Sequence, residues 1–439
     1  MAPTWKRTPM GRLDFHGTSL AISALAVLLT ITGCSDGDSA GTGGTTVSDA
    51  GVGGQGGELL DASSPTDAAG GAGGAGGSPA PVPPIGPRPV APTPASSGTI
   101  IAAPGGSGTA CTLAEPCDLW EAVDQAAAGD VAFLRGGSYD INDQVRFSGD
   151  GTASQPILFE SYPGELAILD GSSVTIGDTV TIRITGSFYV LRLLEIRNMP
   201  RQGLLIPGTD NLLEGVRAHH NHLTGFQISA SYDLPYGSEA SRNILRDCVA
   251  HDNFDEGYII AGFANGGNAD GISISNGTEN RVEHCLVYQN SDDGIDTWRS
   301  TDGYVGYTIA HSHGLADGNA NGFKAGGLEP SARTFVEHCI AYGNLANGID
   351  FNSGAEVIFS YNTTFQNARG FSLGDDTEAD HNIASGDTNG DVNSAGVQTD
   401  NSWQRDGTVE FLSEDPTSPD FLRPTPSGGF ADIGAYAGL

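Results

Sequence analysis

The chain has 439 residues and carries 53 acidic side chains against 20 lysines and arginines, a formal net charge of −33. That balance argues against nucleic acid as a partner, which needs a basic footprint, and would repel an acidic polymer unless bound cations bridged the two. Its 64 glycines and 23 prolines exclude a helical bundle and point to many turns.

The chain opens with Lys6, Arg7 and Arg12, followed by an apolar run from Leu20 to Ile31 and then Ile31-Thr-Gly-Cys34. A run this short and this terminal reads as an export signal rather than a spanning helix. Ile-Thr-Gly-Cys resembles the bacterial lipobox, so residues 1–33 are expected to be removed and Cys34 to be lipidated. This would place the protein at the outer membrane or cell surface, with release from it as the variant, and would make the lipid its sole membrane contact. From residue 34 to 98 the composition is mainly Gly, Ala, Ser, Pro and Asp, with hardly an aromatic or a run of large aliphatics. Such a segment cannot bury enough surface to fold and reads as a flexible tether.

The folded domain is expected from residue 99 to 439. Cys111 and Cys117 lie close together in an exported chain, a suitable pair for a small disulfide. Asp118-Leu-Trp-Glu-Ala-Val-Asp-Gln-Ala126 has helical spacing, with Leu119, Trp120, Val123 and Ala126 as its apolar stripe. Ahead of a strand-rich region, it suits a short capping helix over the open end of a solenoid.

After that helix the sequence repeats. Leu245-Arg-Asp-Cys-Val-Ala-His-Asp-Asn253, Val282-Glu-His-Cys-Leu-Val-Tyr-Gln-Asn290 and Val336-Glu-His-Cys-Ile-Ala-Tyr-Gly-Asn344 superimpose directly, and weaker copies end at Asn198, Asn221, His313 and Asn367. The base period is about 23 residues with insertions, the length of one coil of a three-faced parallel β-helix. An all-β, right-handed parallel β-helix is therefore expected, with Cys248, Cys285 and Cys339 as small inward core residues and the Asn column stacked at the strand spacing.

Each coil also carries a glycine after the Asn turn, from Gly203 through Gly225, Gly271, Gly294, Gly322 and Gly348 to Gly370, followed always by an apolar residue. If that apolar residue points inward, alternation sends the next one outward. The outward column then reads Leu205, Gln227, Ser273, Asp296, Lys324, Asp350, Ser372. The residue before the glycine forms a second column, Asp270, Asp293, Asn321, Asn347. With Asp292 in the same turn, Asp270, Asp292, Asp293 and Asp296 should converge from adjacent coils, with Lys324 one coil further on. Four close carboxylates need a compensating cation, and oxygen ligands without His or Cys favour Ca2+. Asp252, Asp255 and Glu256, one coil earlier, read as solvated turn residues.

Lys324 is the only lysine after residue 6. A lysine can give up its proton and act as a base where arginine cannot. A base beside a divalent cation suits abstraction of a proton α to a carboxylate, as at C5 of a uronic acid, with β-elimination to follow. Trp298 and Arg299, just past the acidic turn, are candidate contacts for a sugar ring and a uronate carboxylate. His219, His220, His222, His311 and His313 sit near turns, but His222 and His313 fall several coils apart, so no histidine metal site is expected.

Asn268-Ala-Asp-Gly271, Asn290-Ser-Asp-Asp-Gly-Ile-Asp296 and Asn321-Gly-Phe-Lys-Ala-Gly-Gly327 occur in the order of the signature blocks of the family 9 polysaccharide lyases, and residues 99–439 resemble that family. The second block carries Ile295 where the family has a bulkier residue. The resemblance implies a right-handed β-helix, Ca2+ held by Asp270, Asp292, Asp293 and Asp296, Lys324 as the base, and an acidic uronate polymer, pectate first, as substrate of a monomeric lyase. It does not carry the substrate safely, because members act on other polysaccharides. A non-catalytic calcium-dependent binding or adhesion β-helix would keep the acidic cluster without needing Lys324. A glycoside hydrolase would leave saturated products, and a uronate epimerase would leave chain length unchanged.

Overall fold

In the computed structural model the described residues are 95, 98–229, 240–256, 264–327, 332–393 and 395–439. The export signal, Cys34 and nearly all of the tether lie outside them.

The described strands form three sheets of twelve, nine and ten strands, and successive strands within each sheet come from successive coils. All the pairings between these strands are parallel, and the register advances by one coil per rung, as in Val282 beside Val305 and Val305 beside Val336. The chain is thus a three-faced parallel β-helix. Its interior is filled by the alternate residue of each short strand: Leu204, Phe226, Ile272, Ile295, Phe323, Ile349 and Phe371, the residues that follow the repeated glycines, are at most 1% exposed.

The helix Leu119–Gln125 covers the N-terminal end. Asp118 caps it by accepting from the Glu121 amide at 2.8 Å, satisfying one of the free donors of the first turn. Leu119, Ala122 and Val123 join the core, while Trp120 and Ala126 of the expected stripe pack at its edge. Trp120 instead donates from its indole nitrogen to the Gln144 carbonyl, 3.1 Å away. Just before the helix, Cys111 and Cys117 form the expected disulfide, with Cα atoms 4.6 Å apart. Cys248, Cys285 and Cys339 are free and buried, as the repeat implies.

The Asn column is a hydrogen-bonded ladder. Asn221 Nδ2 donates to Asn253 Oδ1 at 2.9 Å, Asn253 to Asn290 at 2.8 Å and Asn344 to Asn367 at 2.9 Å. His313 takes one rung, accepting from the Asn290 amide on Nδ1 at 3.3 Å. Burial pushes its pKa down to about 3, so it is the neutral ring that can accept. Asn198 is not on the ladder. Met199 occupies that rung, its amide donating to Asn221 Oδ1, while Asn198 has a positive φ of 54° and reaches Asp170 instead. Asn tolerates that left-handed geometry as readily as a ladder position, which is why the weakest copy slipped by one residue.

The repeated glycines are required by close approach. A Cβ at Gly271 would sit 2.7 Å from Asn290 Nδ2, and one at Gly294 would sit 2.4 Å from the Gly322 carbonyl oxygen. The last residues run back outside the solenoid. Phe421, Leu422, Ala435 and Tyr436 cover Val249, Leu286, Ile309 and Ile340, an outward apolar column of the ten-stranded sheet.

Candidate active site

The nine-stranded sheet positions the site. Strand Ile272–Ile274 pairs with Ile295–Asp296, that strand with Phe323–Gly326, and that in turn with Asn347–Ser353. The register sets Ser273 beside Asp296, Asp296 beside Lys324 and Lys324 beside Asp350. Leu205, Gln227 and Ser372 continue the same outward column at either end. Alternation alone thus places a carboxylate and the lone lysine of the domain on neighbouring rungs, side chains on the same face.

The column before the glycines is a second ladder. The Asp293 amide donates to Asp270 Oδ1 at 3.2 Å, the Asn321 amide and side chain both donate to Asp293 Oδ1 at 2.9 Å, and the Asn347 side chain donates to Asn321 Oδ1 at 2.9 Å. These bonds occupy Oδ1 of Asp293 and leave Oδ2 facing Lys324. The Lys324 ammonium lies 3.0 Å from Asp293 Oδ2 and 3.1 Å from Asp296 Oδ2.

Asp270, Asp293 and Asp296 each offer a carboxylate oxygen within 4.8 Å of the other two. Asp292 stands beside this trio, its Oδ1 accepting from the Asn319 amide at 2.5 Å, and its charge still acts on Asp270. All four are at most 9% exposed. Burial raises the Asp270 pKa well above the ordinary carboxylate range, and Asp292, Asp296 and Asp293 add to it. Burial and the Asp293 charge push Asp292 up to about 7. Asp296 is pushed up to about 6, by burial against the opposing pull of Lys324. For Lys324 itself, burial opposes the charge, but Asp293, Asp296 and Asp270 outweigh it and hold its proton more tightly than in free lysine.

The donor set fits a hard divalent cation. It is all carboxylate, burial and mutual repulsion raise the pKa values of Asp270, Asp292 and Asp296, and Asp296 Oδ1 is buried with no hydrogen-bond partner. One lysine cannot neutralise four carboxylates; a divalent cation would offset most of the charge that remains.

Trp298 and Arg299 follow the Asp296 strand and are half-buried, with the Arg299 guanidinium carbon 5.3 Å from the Trp298 ring centroid. Gly327 packs against Trp298 so closely that a Cβ there would come 2.3 Å from the indole. Asp350 continues the column past Lys324, and burial raises its pKa. The turn one coil earlier is not simply solvated: Asp255 is fully buried, Asp252 pairs with His251 at 2.6 Å and Glu256 pairs with His222 at 2.5 Å. The expected separation of His222 from His313 holds, since His313 belongs to the interior ladder.

A family model described as "Pel9A-like, right handed beta helix region" matches residues 99–389. Pectate lyase L of Paenibacillus polymyxa (strain SC2) is 28% identical over 333 residues, covering 70% of this chain and 73% of that protein. Pectate lyase L of Dickeya chrysanthemi is 26% identical over 327 residues, covering 68% of this chain and 72% of that protein. Pectate lyase PEL9 of Emericella nidulans is 27% identical over 297 residues, covering 58% and 69%. Among solved structures, that of pectate lyase Pel9A aligns with a TM-score of 0.65 at 22% identity, over 78% of this chain and 97% of that one. A rhamnogalacturonan lyase aligns with a TM-score of 0.64 at 21% identity, over 77% of this chain and 100% of that one. At these identities the two structures are likenesses of fold.

Proposed function

The chain belongs to the Pel9A-like, right-handed β-helix family, and from that premise we propose that it is a polysaccharide lyase cleaving an acidic uronate polymer, pectate first, by calcium-assisted β-elimination. The observation that carries this reading is the pairing of Lys324 Nζ with Asp293 and Asp296, at 3.0 and 3.1 Å, on neighbouring rungs of one sheet face. An adhesion module needs the carboxylates but has no use for a half-buried lysine among them. The pectate lyases among the relatives support the substrate class, while the rhamnogalacturonan lyase of similar fold keeps a second uronate polymer in the test.

Asp270, Asp293 and Asp296, with Asp292 beside them, would hold the calcium ion. Bound there, it would set positive charge against the uronate C6 carboxylate, where negative charge gathers as the C5 proton leaves. Lys324 is the base. Its ion pairs with Asp293 and Asp296 keep it protonated, so neutralising those carboxylates frees it to lose its proton and then accept one. Neutral Lys324 takes the C5 proton, the electron pair forms the double bond to C4, and the glycosidic oxygen on C4 leaves with its own pair and is protonated from water. The rigid ladder of Asp270, Asp293, Asn321 and Asn347 fixes the acceptor oxygens, so little reorganisation is needed. The lipobox-like segment ending at Cys34 supports a lipid-anchored protein at the cell surface, where such a polymer is met.

The test is ultraviolet absorbance of the conjugated unsaturated product, with polygalacturonate and rhamnogalacturonan offered separately, with calcium and with chelator. A calcium-dependent rise on either polymer is the expected result. A folded, calcium-binding protein that produces no rise on any uronate polymer would sink the lyase and leave the binding module.

A further inference from the structure

A second cluster of ligating side chains lies on a different face of the solenoid. In the ten-stranded sheet, strand Arg217–His219 pairs with strand Val249–His251, setting His219 beside His251. Each strand is followed by one residue of positive φ, His220 at 54° and Asp252 at 52°, before the chain turns inward to ladder residues Asn221 and Asn253. Two rungs therefore present a two-by-two grid at one corner: His219 and His220 on the first, His251 and Asp252 on the second.

The grid is tight in both directions. His219 Nδ1 lies 2.7 Å from His220 Nδ1, and His251 Nδ1 lies 2.6 Å from Asp252 Oδ2. The His219 and His251 rings are stacked 4.7 Å apart and nearly parallel at 5°. One ring nitrogen from each of the three histidines lies within 4.8 Å of the other two.

The surrounding groups orient the rings as a metal site requires. Glu195 Oε1, from the preceding rung, stands 3.3 Å from His219 Nε2. The negative charge there favours the tautomer with the proton on Nε2, which leaves the Nδ1 lone pair facing His220, as outer carboxylates do for ligating histidines. His251 is 7% exposed and its Nε2 is buried with no hydrogen-bond partner. Ring stacking alone does not require this chemistry. The stack continues through Tyr288, His311 and Tyr342, but the neighbouring column there reads Gln289, Ser312 and Gly343, and the paired ligating groups occur on the first two rungs.

We propose that His219, His220, His251 and Asp252 form a site for a borderline divalent transition ion, of which Zn2+ is the representative. Three imidazole nitrogens and one carboxylate oxygen match tetrahedral zinc, whose bonds to nitrogen are about 2.0–2.1 Å. Bringing the four corners onto one ion requires the His219 and His251 rings to turn out of their parallel stack, with His220 at the exposed corner closing on them. The same donors are poor for calcium, which takes oxygen. The ion would staple two rungs of the ten-stranded sheet and takes no part in the chemistry at Lys324.

The experiment uses the full chain, stripped with chelator and then held in excess calcium to fill the acidic cluster. Zn2+ is titrated calorimetrically, and Cu2+ is used as a paramagnetic probe whose spectrum shows splitting from nitrogen ligands. A single tight equivalent of Zn2+ with nitrogen ligation of Cu2+ is expected. Binding should weaken by about ten-fold or more in His220→Ala and in His251→Gln. Asp293→Asn should leave Zn2+ binding unchanged, and His220→Ala, at an exposed position, should leave calcium-dependent lyase activity unchanged. No Zn2+ binding in excess calcium, or undiminished binding in His220→Ala, would overturn the site without touching the lyase reading.

Discussion

Lys324 stands one rung from Asp296 on the nine-stranded sheet, and its Nζ lies 3.1 Å from Asp296 Oδ2. The same ammonium reaches Asp293 at 3.0 Å, so one cation is shared by a carboxylate of the turn and one of the strand that follows it. The pairing holds the proton on Lys324, and the role proposed for it as a base requires those charges to be met from elsewhere.

Lys324→Arg separates charge from basicity. Arginine can keep the pairing with Asp293 and Asp296 but cannot give up its proton. General base catalysis contributes about 10²–10⁴-fold, so turnover should fall by that order while calcium binding persists. Turnover comes from the absorbance of unsaturated product and binding from calorimetry. A variant with near-normal turnover would remove Lys324 from the mechanism.

Calcium should stabilise the fold as well as enable the reaction. A ligand that binds only the native state at a hundred times its dissociation constant adds about 2.7 kcal/mol. Thermal unfolding with and without chelator should therefore show a clear upward shift in calcium. Asp270→Asn, which keeps an oxygen to accept the Asp293 amide, should lose most of that shift together with activity. An unchanged shift in this variant would place the ion elsewhere.

In chelator, stability should fall as pH rises through the site's own titration. Asp292 and Asp296 are pushed up to about 7 and about 6, chiefly by burial, from an unfolded value of about 3.9. Groups raised in this way favour the folded state fully below their unfolded pKa, and the benefit is lost as pH climbs through the folded pKa. Asp292→Asn should therefore be more stable than the parent by about 1–3 kcal/mol at pH 8, with the gap closing towards pH 4. Denaturant titrations at several pH values would read this. Parallel pH profiles for the two proteins would show that Asp292 does not carry the strain.

Much of this geometry is legible in the sequence because strand alternation is stereochemical. Once the glycine and its apolar neighbour are aligned, the outward column from Leu205 to Ser372 follows, and every pairing along it is present. What escaped lacks a period or depends on a partner across an insertion. The cover formed by Phe421, Leu422 and Tyr436 has no repeat to announce it. The histidine grid is written in the repeat, since Ala218-His-His-Asn221 aligns with Ala250-His-Asp-Asn253, but it shows only when the two rungs are set side by side across the insertion between them. Asp255 reads as a turn residue and is buried, because burial at a turn depends on the loops that cover it.

The buried Asn ladder should be costly to interrupt. Asn253 Oδ1 accepts from both the Asn221 amide and the Asn221 side chain, and its own amide reaches Asn290. Asn253→Ala leaves those buried donors without acceptors, at about 1–3 kcal/mol for each group. Urea unfolding should show a loss of about 2–4 kcal/mol, partly offset if water enters the gap. A loss below about 0.5 kcal/mol, the level of an ordinary surface change, would mean that the ladder marks register without holding the coils together.

The outward column that carries Lys324 also predicts where a long substrate is gripped. Arg146 stands beside Arg183, and Arg183 beside Leu205, so two arginines head the column that runs through Gln227, Ser273 and Asp296 to Lys324. Arg183 is five rungs from Lys324, about 24 Å at the strand spacing. Arg146 Nε donates to the Thr185 hydroxyl and Arg183 Nε to the Thr181 hydroxyl, which holds both side chains along this face. In a chain of net charge −33, this end of the face can attract a polyanion lying along the solenoid axis. Exposed ion pairs are worth about 0.2–1 kcal/mol, so Arg183→Gln should raise KM for polymer by no more than about five-fold. Its kcat should not change, and a trisaccharide, too short to span the distance, should be cleaved as before. The KM effect should also shrink in high salt, as a screened contact must. An equal loss on trisaccharide and polymer would show that Arg183 acts through the fold, and no loss on either would show that the polymer takes another path across the face.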